Sequence, residues 1–146
     1  MDLTKQFPRS VRDKVAGVVM LGRAIDKGKA TATGTNGEYN FDCPMDKAVF
    51  GFLDIDAAVL LDVIKSAKSN AEIEAFAREH ASKKTSAEIE DWNRSFLNYG
   101  PAPGSDGETY FLELRKSVAP DRTDVTSWAD LLDLDEKREV PHRVAA

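Results

Sequence analysis

The hydrophobic and polar positions repeat at helical spacing along most of the chain. Val11, Val15, Val18, Gly22 and Ile25 form one stripe at a period of 3.6, with Val19 beside it. Gly17, Met20, Leu21 and Ala24 make a second, weaker apolar face. The pattern predicts a helix from about Val11 towards Lys29, apolar on two sides and so lying between neighbours. Ser10 suits its N-cap, with Asp13 favouring the first turn. Gly17 and Gly22 each cost such a helix roughly 1 kcal/mol relative to alanine, which a close backbone approach would explain. Before it, Pro8 disfavours helix at Phe7, and Phe7 is expected to pack as an anchor.

Gly34 is a helix stop. Asn36-Gly37 is a turn signal that could close a small hairpin between residues 31–35 and 38–42, given a packing partner. Pro44 then opens a short helix to Leu53, capped by Asp42 or Cys43. Asp54 or Asp56 caps the next, about Ala57–Ala67. SNAEIEAF at 69–76 and TSAEIEDW at 85–92 are alike, and each opens with a capping box: Ser69 with Glu72, Thr85 with Glu88. Convergence on good helix starts accounts for the likeness, since two copies do not make a repeat protein. Tyr99 to Gly104 breaks the pattern with two prolines and two glycines. A last major helix runs from about Gly107 to Val118, capped by Asp106, with Tyr110, Phe111, Leu114 and Val118 on its buried side. Residues 121–135 are acidic, with a short helical segment at Trp128, Leu131 and Leu132.

Six or seven helices without a convincing run of strands define an all-α fold: a compact single-domain bundle. The expected division is one helical domain over 1–120 and an acidic extension over 121–146, packed around Trp128 and polar and loose from Glu136.

Charge and composition narrow the function classes. The chain has 146 residues and a net charge of −5, with its Lys and Arg interspersed among acids. That argues against nucleic acid, whose phosphates call for clustered basic residues. A single cysteine cannot form an internal disulfide, so a reducing compartment fits. The opening MDLTKQFPRS lacks a signal peptide's apolar run, and Val15–Gly22 is too short to span a bilayer. A soluble cytoplasmic protein is expected, with no membrane partner.

The candidate chemistry gathers at the end of the first helix. Asp26 falls at the margin of the apolar stripe, where a carboxylate has to be paired or hydrogen-bonded. Arg23 lies further round the wheel, Lys27 beyond it, and Lys29 on the stripe itself. Arg23 as a bidentate clamp, Lys27 as a second cation and Asp26 as base or orienter would form an anion pocket. The plainer reading is an Arg23–Asp26 ion pair tying the helix to its loop. Glu38 and Tyr39 would face these charges across the turn and complete a polar pocket for a small ligand; otherwise Glu38 pairs with Arg23 or Lys27, and Tyr39 packs on the core. Cys43, at a helix N-terminus, sits where a thiol becomes nucleophilic, but no histidine is near in sequence to serve as its base, so a buried or capping role is favoured. Asn93 is expected to bond a backbone group and His80 to be structural. Two distant histidines and one cysteine give no transition-metal pattern, the spacing of Asp42, Asp46, Asp54 and Asp56 suits capping better than a calcium loop, and GTNG at 34–37 is no phosphate loop. Neither metal nor cofactor is expected.

LGRAIDK at 21–27, GTNGEYNFDCPMD at 34–46, FGFLDID at 50–56, SNAEIEAF and AEIEDWN at 87–93 resemble, as an ordered set, a bacterial family described as a domain of unknown function, DUF5069. The resemblance covers roughly residues 3–98 and implies a bacterial cytoplasmic setting, with no activity to carry over. The family often has proline where this chain has Gly22, a departure that removes the reason to expect a helix kink at that place here.

Three functions stay open. The first is a small-ligand or protein-binding domain without catalysis, with a small anionic molecule as the ligand. The second is an enzyme acting on a small anionic metabolite through Arg23, Asp26, Glu38 and Tyr39, with Cys43 as a further participant. The third is a homo-oligomeric interaction protein, a homodimer in its simplest form.

Overall fold

A computed structural model of the chain describes residues 1–143. The expected all-α class is met: seven helices, with no strand among the described residues. They are α1 (Leu21–Ala32), α2 (Pro44–Leu53), α3 (Ala57–Ser66), α4 (Asn70–Ala81), α5 (Ser86–Leu97), α6 (Asp106–Val118) and α7 (Trp128–Asp135). None is long and apolar enough to cross a membrane. The chain divides into two compact units, Met1–Asp91 and Trp92 onward, with α5 running across the division.

In the first unit α1 is central and packs on α2 and α3, while α3 packs on α4. Its start is the largest departure from the sequence pattern. The helix begins at Leu21, not Val11, because the valine stripe is met by a buried turn. The amide of Val18 donates to the Val15 carbonyl at 2.9 Å and that of Met20 to the Val11 carbonyl at 2.8 Å. Ala16, Gly17 and Met20 take positive φ values of 52°, 80° and 70° to allow it. Val11, Val15, Val18 and Val19 are all buried. The turn thus hides the apolar surface a helix would have hidden, and β-branched residues favour extended backbone. Ser10 caps this turn through its bond from the Arg12 amide, 3.1 Å, rather than a helix. Gly22 becomes the second residue of α1, a first-turn position where proline needs no kink.

The hairpin over 31–42 does not form. α1 continues to Ala32, Gly34 ends it with φ at 69°, and Asn36-Gly37 makes a turn closed by the Tyr39 amide on the Asn36 carbonyl, 2.9 Å. The lead-in takes the backbone group a second strand would have used: the Leu3 amide donates to the Thr35 carbonyl at 2.8 Å. Leu3, buried, is therefore the anchor of this segment, and Phe7 is exposed, contrary to expectation.

Caps settle the later helices. Asp54 is the left-handed C-cap of α2, and Asp56 caps α3 by accepting from the Ala58 and Val59 amides. The Thr85–Glu88 box is complete, with reciprocal bonds of 3.0 and 3.1 Å. Its upstream counterpart is not, since Glu72 accepts from the Lys68 amide while the Ser69 side chain makes no cap bond. His80 is structural, with Nδ1 3.0 Å from the Leu53 carbonyl and its ring on Phe76.

The second unit is built on Phe111, Val125 and Leu131, with Leu114, Trp128 and Leu134 packed around them. α6 is capped by Ser105, not Asp106, and buries Phe111, whereas Tyr110 is 60% exposed. The stretch after α7, polar in sequence, is held as far as Arg143. Arg122 donates to the Val140 carbonyl at 2.9 Å and pairs with Asp124 at 3.0 Å, and Arg143 pairs with Asp130 at 2.9 Å.

The Arg122 guanidinium and the Arg143 amide hold the Asp124 carboxyl well below the usual carboxylate range. A lowered folded-state pKa stabilises above the unfolded value, about 3.9, and that stabilisation is lost as pH falls below it. Asp124→Asn is therefore expected to remove part of the decline in stability between pH 5 and strong acid. Tryptophan fluorescence during denaturation would read this, since Trp92 and Trp128 both lie in this unit. The site is solvated, so the effect is modest and weakens with salt.

Candidate functional site

The charged residues of α1 separate into two settings. Asp26, buried, faces Arg9 from the lead-in. Arg9 gives it three hydrogen bonds: Nε at 3.1 Å, Nη2 at 3.0 Å and the backbone amide at 2.9 Å. The guanidinium reaches the carboxylate across Gly22, where a Cβ would sit 3.1 Å from its Cζ. The close backbone approach expected at Gly17 and Gly22 is not found: side chains of Arg9 and Val15 meet Gly22, and a Cβ on Gly17 would meet no neighbour. The expected Arg23–Asp26 pair is replaced by this one. An extended segment can bring a fork square to a carboxylate, which suits bidentate pairing. Arg23 instead donates to the Arg9 carbonyl at 3.2 Å and lies over the Tyr39 ring, 5.5 Å from its centre.

Beside the Arg9–Asp26 pair opens a cavity of about 240 Å³ between α1 and α4. Its walls are Arg9, Ile25, Asp26, Lys29, Asn70 and Ile73, with Met1 and Glu74 also lining it. Lys29 Nζ donates to Asn70 Oδ1 at 2.7 Å. Arg9 spends Nε and Nη2 on Asp26. The volume is below the roughly 300–1,000 Å³ of pockets for drug-sized ligands, so an occupant would be smaller.

The second setting lies at the start of α2. Lys27, 4% exposed, sends Nζ to Asp46 Oδ2 at 2.9 Å and to Cys43 Sγ at 3.1 Å. Asp46 Oδ2 also accepts the Cys43 amide at 3.2 Å, half of the capping box that starts α2. Asp46 Oδ1 is buried with no hydrogen-bond partner. Lys27 has turned inward, where the helical wheel put it on the outer side of Arg23.

Of the sequence candidates, Lys27 and Cys43 therefore meet each other, Arg23 meets Tyr39, and Asp26 alone lines the cavity. Glu38 is exposed and belongs to neither setting. Arg9, Asn70, Glu74 and Asp46 were not singled out as site residues. Lys29 carried a signal, a charge on an apolar stripe, and Asp46 read as a helix cap, which it also is. Arg9 and α4 offer none, because only the fold brings them to α1.

No wall residue of the cavity is a serine, cysteine or histidine, and Asp26 is held by three hydrogen bonds from Arg9. The arrangement sets two cations, Arg9 and Lys29, beside a small cavity that the carboxylates of Asp26 and Glu74 also line. The chain is thus all-α, with a small cavity of mixed polar and apolar lining beside α1 in its first unit. It belongs to the family described as a domain of unknown function, DUF5069, whose model matches residues 5–138 and so takes in α1 to α7. Among curated proteins, none matches the chain.

Proposed function

We propose that this protein is a ligand-binding domain without catalysis, and that its ligand is a small molecule carrying a carboxylate or phosphate. The observation that carries the reading is the cavity between α1 and α4, with the cations Arg9 and Lys29 on its walls and no serine, cysteine or histidine among its lining residues. Arg9 is preorganised, because Asp26 fixes its guanidinium by two side-chain bonds before any ligand arrives. Lys29 supplies a second cation, from α1. Glu74, at the rim, would favour a ligand that also bears an amino group. A bacterial cytoplasmic setting fits this reading, given a single cysteine. An enzyme using Arg23, Asp26, Glu38 and Tyr39 has less support, since only Asp26 of the four reaches the cavity.

A thermal-shift series with inorganic phosphate, small dicarboxylates and amino acids tests it. A ligand at a hundred times its dissociation constant stabilises by about 2.7 kcal/mol, which raises the melting temperature by several degrees. Lys29→Ala, which removes one partly exposed hydrogen bond, is expected to fold and to lose most of the shift. No shift from any of the three classes at tens of millimolar would overturn the proposal.

A further inference from the structure

The Lys27–Cys43–Asp46 cluster lies apart from the cavity and has no role in the reading above. We propose that Lys27 and Cys43 form a reversible covalent cross-link when a hydroperoxide oxidises the protein. Three observations carry it. The nitrogen and sulfur lie 3.1 Å apart, within reach of bond formation after a small shift. Cys43 is half-buried and not sealed in the core, whereas Lys27 is closed off from solvent and faces the sulfur and Asp46. Asp46 holds Nζ at 2.9 Å through Oδ2, while Oδ1 is a buried oxygen without a hydrogen-bond partner. That carboxylate has acceptor capacity left for the proton Lys27 must give up before its nitrogen can attack.

The chemistry has two steps. The Cys43 thiol reduces the hydroperoxide: its sulfur takes one oxygen, the O–O bond breaks, and a sulfenic acid and an alcohol (water, from hydrogen peroxide) result. Lys27 then passes a proton to Asp46 and attacks the sulfenic sulfur through Nζ. The N–S bond forms, the S–O bond breaks, and the hydroxyl leaves as water with a proton from the nitrogen. The product is a sulfenamide joining α1 to the N-cap of α2, two hydrogens lighter than the reduced protein. Two equivalents of thiol return the free amine and the free cysteine, giving one disulfide. With no second cysteine in the chain, the amine takes the part of a resolving thiol. The link would close the loop between Ala32 and Cys43 into a ring.

Treatment of the folded protein with one to a few equivalents of hydrogen peroxide, followed by intact mass and peptide mapping at acidic pH, tests this. Loss of two hydrogens, a linked peptide holding Lys27 and Cys43, and reversal by dithiothreitol are expected. Lys27→Arg keeps a cation but has no primary amine, and should stop at a sulfenic acid that dimedone captures in high yield. Cys43→Ser should show neither change. Sulfenic or sulfinic acid on wild-type Cys43 without a linked peptide, an intermolecular disulfide, or a thiol inert to peroxide would each overturn the proposal. The wild-type mapping decides the matter even if the arginine variant fails to fold.

Discussion

Lys27→Met is expected to lower the unfolding free energy by about 3–5 kcal/mol, the cost of leaving one member of a buried ion pair without its partner. Asp46, fully buried, would keep only the Cys43 amide on its carboxylate, with Oδ1 already lacking a partner. Against the 5–15 kcal/mol that hold a typical domain together, this is a large share. The double change Lys27→Met with Asp46→Leu is expected to recover much of the loss, because removing both charges also removes their desolvation. Recovery would be incomplete, since Asp46 also serves the capping box of α2. Urea denaturation followed by far-ultraviolet circular dichroism measures both. A double variant no more stable than the single would show that the cap, and not the buried charge, dominates.

Gly100→Ala is the second large effect, in the other unit. A Cβ on Gly100 would run into the backbone carbonyl oxygen of Thr126, which has no rotamer to move. The adjacent Tyr99 carbonyl accepts the Trp128 amide at 3.0 Å, so the segment before α6 is laced to the start of α7 at this point. Overpacking typically costs 1–3 kcal/mol, and contact with backbone puts the expected loss at about 3 kcal/mol. Because Trp128 heads α7 beside this contact, its fluorescence should shift in the native state as well as in the denaturation midpoint. Gly51→Ala, with open space around its Cβ, is the control and should be neutral or slightly stabilising.

These two positions differ in how far the sequence revealed them. The break at Tyr99–Gly104 marked Gly100 as special, though nothing in it pointed to Thr126. Lys27 fell on the far side of Arg23 from the apolar stripe, because a helical wheel measures angle from that stripe and the stripe itself was misplaced. The valines from Val11 to Val19 satisfy helical spacing and turn burial equally well, and periodicity does not distinguish them. Once α1 starts at Leu21, the valines no longer define its buried face. The caps were legible where they are local: Asp56, the Thr85–Glu88 pair and Gly34 act within a few residues of themselves. The candidate site was legible only in part, for the same reason. Asp26 declared its need for a partner by its position, but Arg9 comes from outside the helix, and the wall formed by Asn70 and Ile73 comes from α4.

The turn over residues 11–20 also bears on the order in which the first unit assembles. Its Val11–Met20 and Val15–Val18 bonds close short loops, whereas the Leu3–Thr35 bond spans the whole lead-in and α1. Closure entropy grows only logarithmically, by about 0.6 kcal/mol for each doubling of loop length, so the local bonds have a modest advantage that acts before any helix docks. The turn is therefore favoured to close ahead of the Leu3–Thr35 contact, with α1 starting where the turn ends. The start of α1 is thus set by bonds within residues 11–20, ahead of the packing of α2 and α3 on the helix.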